Sequence, residues 1–558
     1  MIGGRSAPAT LARTRLGAWS ALVLAALALA AGPAEAGSAL ARTEQVYADW
    51  LDAGYASSTL AAGPMTRLEG RNLAAWTRLK AARALALKRV LARDTALRLA
   101  GDDVRALKRM QAALDAASAT PPASSEEASA RECATASDPG LDQAALSGAL
   151  YACFERYGNH TPFEGRSIAR ATALELLQQL DAPERRKTLF YALAPLWSRI
   201  DGADEPASPY RRLIRLAAAD ASAEGGSAVD QAARTLGETQ GEVEAQLTAA
   251  LEAWRAANPG PPIEPWDYWS HYAQGLGPLD AAIPADAIPG LCRRDYLDLG
   301  VDLERFRVIS DLRVRPGKAP LAYADFVRIG RRTANGWRPA RARVSANVER
   351  GGLFVLNEIV HENGHVAHMM AVRARPAFFD LGDDLFVEAF ADVTSWSVAE
   401  PAWQKRYLGL SAPDGVAQRA LLANVMLDVA WGLFELRMLK APDADPNQVW
   451  TEITARYLNI VPHPEIAWWA LRVQLVEQPG YMINYGLGAM LTADLRDRFR
   501  REIGDFDAGN PRWYPYASAH LLRYGAAVDT SSLLRGFLGR PVSIEPLLAQ
   551  IRRLPPPT

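Results

Sequence analysis

The chain has 558 residues, with 62 basic and 63 acidic side chains and a formal net charge of −1. That balance gives no field of one sign, which argues against nucleic acid or an anionic bilayer as partner. With 49% hydrophobic and 22% charged residues the chain can fill a large core, and its length excludes a single small module.

Arg5, Arg13 and Arg15 frame the start of an almost unbroken apolar run from Leu16 to Ala31. Ala34-Glu35-Ala36 then places small residues at the positions that a signal peptidase reads. The run is short for a membrane span. Residues 1–36 are therefore expected to be a cleaved signal peptide, leaving an exported protein, periplasmic or secreted, with no stable membrane insertion. From Thr43 to about Ala117 apolar residues recur at the three-and-four spacing of a helix. Residues 118–140 lack large apolar side chains and read as a surface linker. Helical signal resumes at ARATALELLQQL and at GEVEAQLTAALEAWRAAN. NPGPPIEP (258–265) stops it and divides an N-terminal helical region, 37–260, from a second region, 261–558. RVRPGKAPLAYADFVRIG and ARARVSANV are richer in β-branched residues and predict a small sheet, after which the pattern from Leu353 onward is helical again. In an exported chain Cys133 and Cys153 can close a loop of about twenty residues, contributing about 3 kcal/mol by restricting the unfolded chain.

Three of the seven histidines fall within His361-Glu362-Asn363-Gly364-His365-Val366-Ala367-His368. Four residues apart on a helix, His361 and His365 lie one turn apart on nearly one face. Both can then meet one Zn²⁺ at about 2.0–2.1 Å. Glu362 stands beside that position, where it can take a proton from water at the metal. Gly364, in a helix interior, costs about 1 kcal/mol relative to Ala, which points to a close neighbour or substrate. A catalytic site needs a third protein ligand. Position 371, where a third His could stand, is Ala. His368 lies about 10 Å along the axis from His361, too far to share the ion, and is assigned a supporting place beside the ligands. Among the downstream acids Asp380, Asp383, Asp384, Glu388 and Glu400, Glu388 is preferred. It sits in the apolar segment LFVEAFADV, where an unpaired carboxylate is costly. Asp392, one turn on, is placed to accept a hydrogen bond from a ligand His and fix its tautomer.

HENGHVAHMM resembles the HEFGHALH motif of the zinc oligopeptidase family of thimet oligopeptidase and oligoendopeptidase, whose third ligand is a Glu on a following helix. Here Glu388 stands 23 residues after His365. PWDYWSHYA (265–273), DLRVRPGKAPLAYADF, the QPGYMINYGLG segment and LLRYGAAVDTSSLLRGFLGRPVS are similar to further family stretches, so the likeness covers roughly 265–545. It implies a mainly α, neurolysin-like fold with a small sheet beside the zinc helix and a deep substrate channel. One Zn²⁺ would be held by His361, His365 and Glu388, and short peptides would be the substrates. By the same resemblance Tyr481 and Tyr485 would donate to the oxyanion, and Ser345, Ala346 and Asn347 would pair with an extended peptide. Gln474 stands where the family has a His, and Gly480 where an aromatic is usual. The expected activity is zinc-dependent hydrolysis of short peptides with Glu362 as base. The rivals are a non-catalytic peptide-binding or folding factor, a cell-wall peptide amidase, and a peptidyl-dipeptidase that needs a cationic anchor such as Arg523 or Lys318.

Overall fold

The stretches with helical spacing fold as helices. In the computed structural model 67% of the chain is helical and 6% is strand, so the protein is mainly α with small sheets. The structure describes residues 33–556, apart from 62, 96, 98, 120–132, 203–207, 225, 316–317 and 319–321. Residues 1–32 of the expected signal peptide and 120–132 of the expected linker lie outside the described residues. No described helix is long and apolar enough to cross a membrane.

The chain forms two compact units. The smaller comprises residues up to Pro122, Phe326–Ala340 and Arg373–Phe379. Its helical tract is three helices, Pro33–Ala61, Arg67–Asp94 and Asp102–Ala119, with the breaks falling around Gly63-Pro64 and between Thr95 and Gly101. Ion pairs tie its separate segments together. Arg331 bridges Asp49 at 2.7 Å and also Asp52. Arg375 bridges Glu44 at 2.8 Å and Asp103 at 2.6 Å.

The larger unit comprises Ala123–Asp325, Arg341–Val372 and Asp380–Thr558. Cys133 and Cys153 are joined by a disulfide, and Cys292 is a buried thiol. The helix Gln240–Ala257 ends where NPGPP removes amide donors and fixes non-helical backbone. The strands in chain order are β1 (Thr161–Phe163), β2 (Arg166–Ile168), β3 (Ile309–Asp311), β4 (Tyr323–Arg328), β5 (Arg331–Thr333), β6 (Gly336–Arg338) and β7 (Arg341–Ser345). β1–β2 is an antiparallel hairpin, as is β5–β6, which belongs to the smaller unit, and the predicted sheet has the order β3-β7-β4, with β3 parallel to β7.

Four helices of this unit position the site. Leu353–Ala371 carries HExxH, Asp384–Ser395 carries Glu388, Val416–Lys440 packs beside Met482–Ile503, and Tyr481 immediately precedes the last of these. Gly352, at φ 117°, turns the chain into the first helix, and the Asp280 carboxylate accepts from the Leu353 amide at 2.8 Å. That remote carboxylate does the work of an N-cap side chain. Asp383 caps the Glu388 helix through the Phe386 amide, 3.1 Å. The two helices are then stapled together. The Tyr296 hydroxyl lies 2.7 Å from the Val360 carbonyl and 2.8 Å from Thr394 Oγ1, and the Asn357 amide donates to the Ser395 carbonyl at 2.8 Å.

Candidate metal centre

His361, His365 and Glu388 converge so that one ligand atom from each lies within 4.8 Å of the others. His361 Nε2 is 3.1 Å from His365 Nε2 and 3.4 Å from Glu388 Oε2, which is 4.0 Å from His365 Nε2. Four tetrahedral bonds of about 2.0–2.1 Å set donor atoms about 3.3 Å apart. The triad therefore matches an ion with nitrogen and oxygen ligands in both chemistry and spacing. What allows the approach is Gly364. A Cβ there would lie 2.7 Å from Ala391 Cα and from the Ala391 carbonyl oxygen, so the two ligand-bearing helices touch backbone to backbone at this residue.

Asp392 occupies the place expected of it. Its Oδ1 lies 2.7 Å from His361 Nδ1 and accepts from Ser395 Oγ at 2.8 Å. With Nδ1 donating to Asp392, His361 presents Nε2 to the cluster, the nitrogen that would give up its proton to a metal ion. His368 does not join the group. It is 1% exposed and its ring lies 5.3 Å from Phe386 and 5.4 Å from Phe390, with no partner on Nδ1 among the described residues. Three residues past His365 on a helix, it is turned toward the aromatic side of the Glu388 helix rather than the ligand atoms. Burial takes its imidazole down to about 3, so it is neutral.

The remaining groups are strongly perturbed. Burial opposes charge on His361, yet the Asp392 and Glu388 carboxylates hold it well above the ordinary histidine range. Burial, reinforced by His361, takes His365 down to about 4. Glu388 is held below the usual carboxylate range by His361 and His365 despite its burial. Burial pushes Glu362 up to about 8, with the His361 imidazole opposing and Glu358 and Glu388 adding to it. The Ala324 amide of β4 faces Glu362 and opposes that rise. Such opposed shifts among neighbours are a mark of functional sites.

Tyr481 donates to Glu388 Oε1 at 3.2 Å, and its ring is 5.7 Å from that of Tyr485. Tyr485 lies beside Gln474 and under the Arg472 guanidinium, 5.9 Å away. The segment is set by Glu435, a buried carboxylate that accepts from the Met482 amide at 2.8 Å, with the Gly480 and Ile483 amides close by. Ser345, Ala346 and Asn347 are placed differently from the expectation. β7 is the central strand of its sheet, the Ala346 amide donates to the Asp311 carbonyl, and the Ala346 carbonyl accepts from Lys318 Nζ. With these groups occupied, no peptide strand can add at Ala346. Lys318, buried on Asp311 and Ala346, is no anchor for a free carboxylate, and Arg523 is exposed.

A cavity of about 370 Å³ opens on the site, lined by His361, Glu362, Asp392, Gln474 and Tyr485. Glu358, Arg170 and Arg472 also line it and were not among the expected site residues. For Glu358 the signal is in the sequence, four residues before Glu362 on the same helical face. The two arginines carry none, because only the tertiary fold brings residue 170 to this place. No protein-family model matches the chain, and no curated protein matches it.

Proposed function

We propose that this chain is a metal-dependent peptidase. The observation that carries the reading is the His361–His365–Glu388 donor set with a buried glutamate, Glu362, beside it on the wall of a cavity. Zn²⁺ suits two imidazoles and a carboxylate and, when bound, supplies Lewis acidity toward a carbonyl and acidifies water. Glu362 accepts a proton from the attacking water and returns it to the departing amine. Tyr481 holds its proton tightly, since burial and then Glu388 raise its pKa well above the usual tyrosine value. It is thus a hydrogen-bond donor toward negative charge developing on the carbonyl oxygen, with Tyr485 behind it. Asp392 keeps His361 in the tautomer that leaves Nε2 to the metal.

For substrate alignment the same logic selects β4 in place of β7. β4 is an edge strand, and the amide of its Ala324 meets Glu362, so backbone added there lies beside the base. We assign the chain to the thimet oligopeptidase type of helical metallopeptidase, with residues 261–558 as the catalytic region, on the motifs quoted above. Export with removal of residues 1–36 belongs to the same reading.

The test compares wild type with Glu362→Gln on peptides of graded length, read by mass spectrometry with and without a chelator. The expected result is cleavage by wild type that disappears in the variant and in the chelated sample. A folded, zinc-loaded wild type that cuts none of the peptides overturns the proposal and leaves a binding role.

A further inference from the structure

The near-neutral charge of the whole chain conceals a local excess. In the helix Arg67–Asp94 of the smaller unit, eight of 28 residues are Lys or Arg and two are acidic. One of those acids, Asp94, is buried against Thr43. Leu87 and Leu91 are buried on the same side of the helix. Its outer side carries Arg67, Arg71, Arg78 and Arg89, with Ala74, Ala82 and Leu85 filling the turns between them, and all seven are exposed. Each follows the last by three or four residues, so together they form one row along the axis, about 33 Å long at 1.5 Å per residue.

The fold itself makes no use of this row. Among the described residues none of its four arginines makes an ion pair or a hydrogen bond. Elsewhere in the unit arginines are paired: Arg83 and Arg331 with Asp49, Arg338 with Asp52, and Arg375 with Glu44 and Asp103. Arg67 and Arg71 also stand at the end of the helix whose dipole disfavours cations, and, four residues apart, they repel each other. The row contains no acid and no neutral polar side chain, whereas a merely solvated face mixes charges of both signs. Leu85 is 60% exposed between Arg78 and Arg89.

We propose that this face docks on an anionic lipid bilayer, the helix lying flat with its arginines on the lipid phosphates and Leu85 at the level of the headgroups. Such docking is independent of the peptidase reading. The row is too long for one small anion and suits an extended charged surface. Arginine stems can lie along the alanines while the guanidinium groups reach outward, so cations and apolar groups share one face. Nucleic acid fits less well. Trp76, the aromatic residue of the helix, is two residues from Arg78 and so about 160° round the axis, which leaves no ring in the row for a base to stack on. Because the apolar part is small, attachment is electrostatic and reversible.

The test floats the full chain with phosphatidylcholine vesicles, with and without phosphatidylglycerol, at low and high ionic strength. Wild type is compared with Arg71→Gln/Arg78→Gln/Arg89→Gln and with a control, Arg166→Gln/Arg456→Gln/Arg553→Gln, which removes three exposed arginines from the larger unit. Wild type should bind the anionic vesicles and leave them as salt rises, because salt screens exposed charge. Each arginine near such a surface contributes about fivefold, so Arg78→Gln alone should lose about fivefold and the row variant about a hundredfold. The control should bind as wild type does. Gln is as good a helix former as Arg, and thermal melts check that the row variant folds. Arg71→Lys/Arg78→Lys/Arg89→Lys should keep the binding, since the charge is what the surface reads. The apolar run Leu16–Ala31 would show itself on neutral vesicles, equally in every chain. A labelled DNA duplex, titrated at the same ionic strengths, is the competing polyanion. Binding to the duplex without binding to anionic vesicles overturns the lipid surface. So do equal binding to neutral and anionic vesicles, equal binding by wild type and the row variant, an equal loss in the control, or no binding at all.

Discussion

Asp392 acts on the metal through another residue. A histidine ligand can rotate about two bonds, and His361 is kept from doing so by the 2.7 Å contact of Nδ1 with a carboxylate that is itself held by Ser395. Removing that carboxylate frees the ring and lowers the basicity of Nε2 without touching a ligand atom. Asp392→Ala is therefore expected to weaken zinc binding by about 10- to 100-fold. Competition with a chromophoric chelator measures this directly. Because the variant keeps Glu362 and the three ligands, most of its activity should return at saturating zinc. Zinc affinity equal to that of wild type would show that packing alone fixes the ring. The same contact explains why Asp392 could be read from the sequence: its spacing from Glu388 is one helical turn, and a helix converts such spacing into direction without help from the rest of the fold.

Two helices meeting backbone to backbone make the site, and Gly364 is where they meet. Replacing it with Ala improves helix propensity by about 1 kcal/mol. Against that, the new methyl would stand 2.7 Å from Ala391 Cα and its carbonyl oxygen, which belong to a rigid helix and cannot rotate away. Overpacking of this kind typically costs about 1–3 kcal/mol, and contact with backbone belongs at the upper end, so the loss outweighs the gain. Gly364→Ala should be destabilised by about 2 kcal/mol in chemical denaturation. It should also bind zinc more weakly, because His365 and Glu388 are moved apart. Unchanged stability would mean that the helices can part at no cost. The need for a small residue here was legible in the sequence, since Gly inside an apolar helix is unfavourable without a neighbour to justify it. The role of the strands was not. ARVSANV and LAYADF both read as β, but which strand is central and which is an edge depends on pairing partners far apart in the chain. Hydrogen-bond order in a sheet leaves no local pattern, so Ser345 to Asn347 were expected at an edge that the fold gives to β4.

At the scale of the whole molecule, the cavity beside the metal site was out of reach of the sequence because its walls come from helices far apart in the chain, Arg170–Gln179 and Met482–Ile503, with Arg472 also lining it. The same long-range construction makes the metal a cross-link. His361 and His365 come from one helix, Glu388 from a second, and Tyr481 leans on Glu388 from the start of a third. An ion bound there is held only when all three pack as in the native state, so its binding free energy adds to folding. With free zinc at one hundred times the dissociation constant the gain is about 2.7 kcal/mol. Chelation should then lower the melting temperature of wild type, and readdition of zinc should restore it. His361→Ala/Glu388→Ala should melt at the same temperature with and without zinc. Differential scanning calorimetry at fixed pH and ionic strength reads both arms. Glu362→Gln is the decisive control: it removes the base and none of the ligands, so it should keep the full zinc-dependent shift while losing activity. A shift that vanished in Glu362→Gln would place this glutamate among the ligands, and one that persisted in the double variant would place the ion elsewhere.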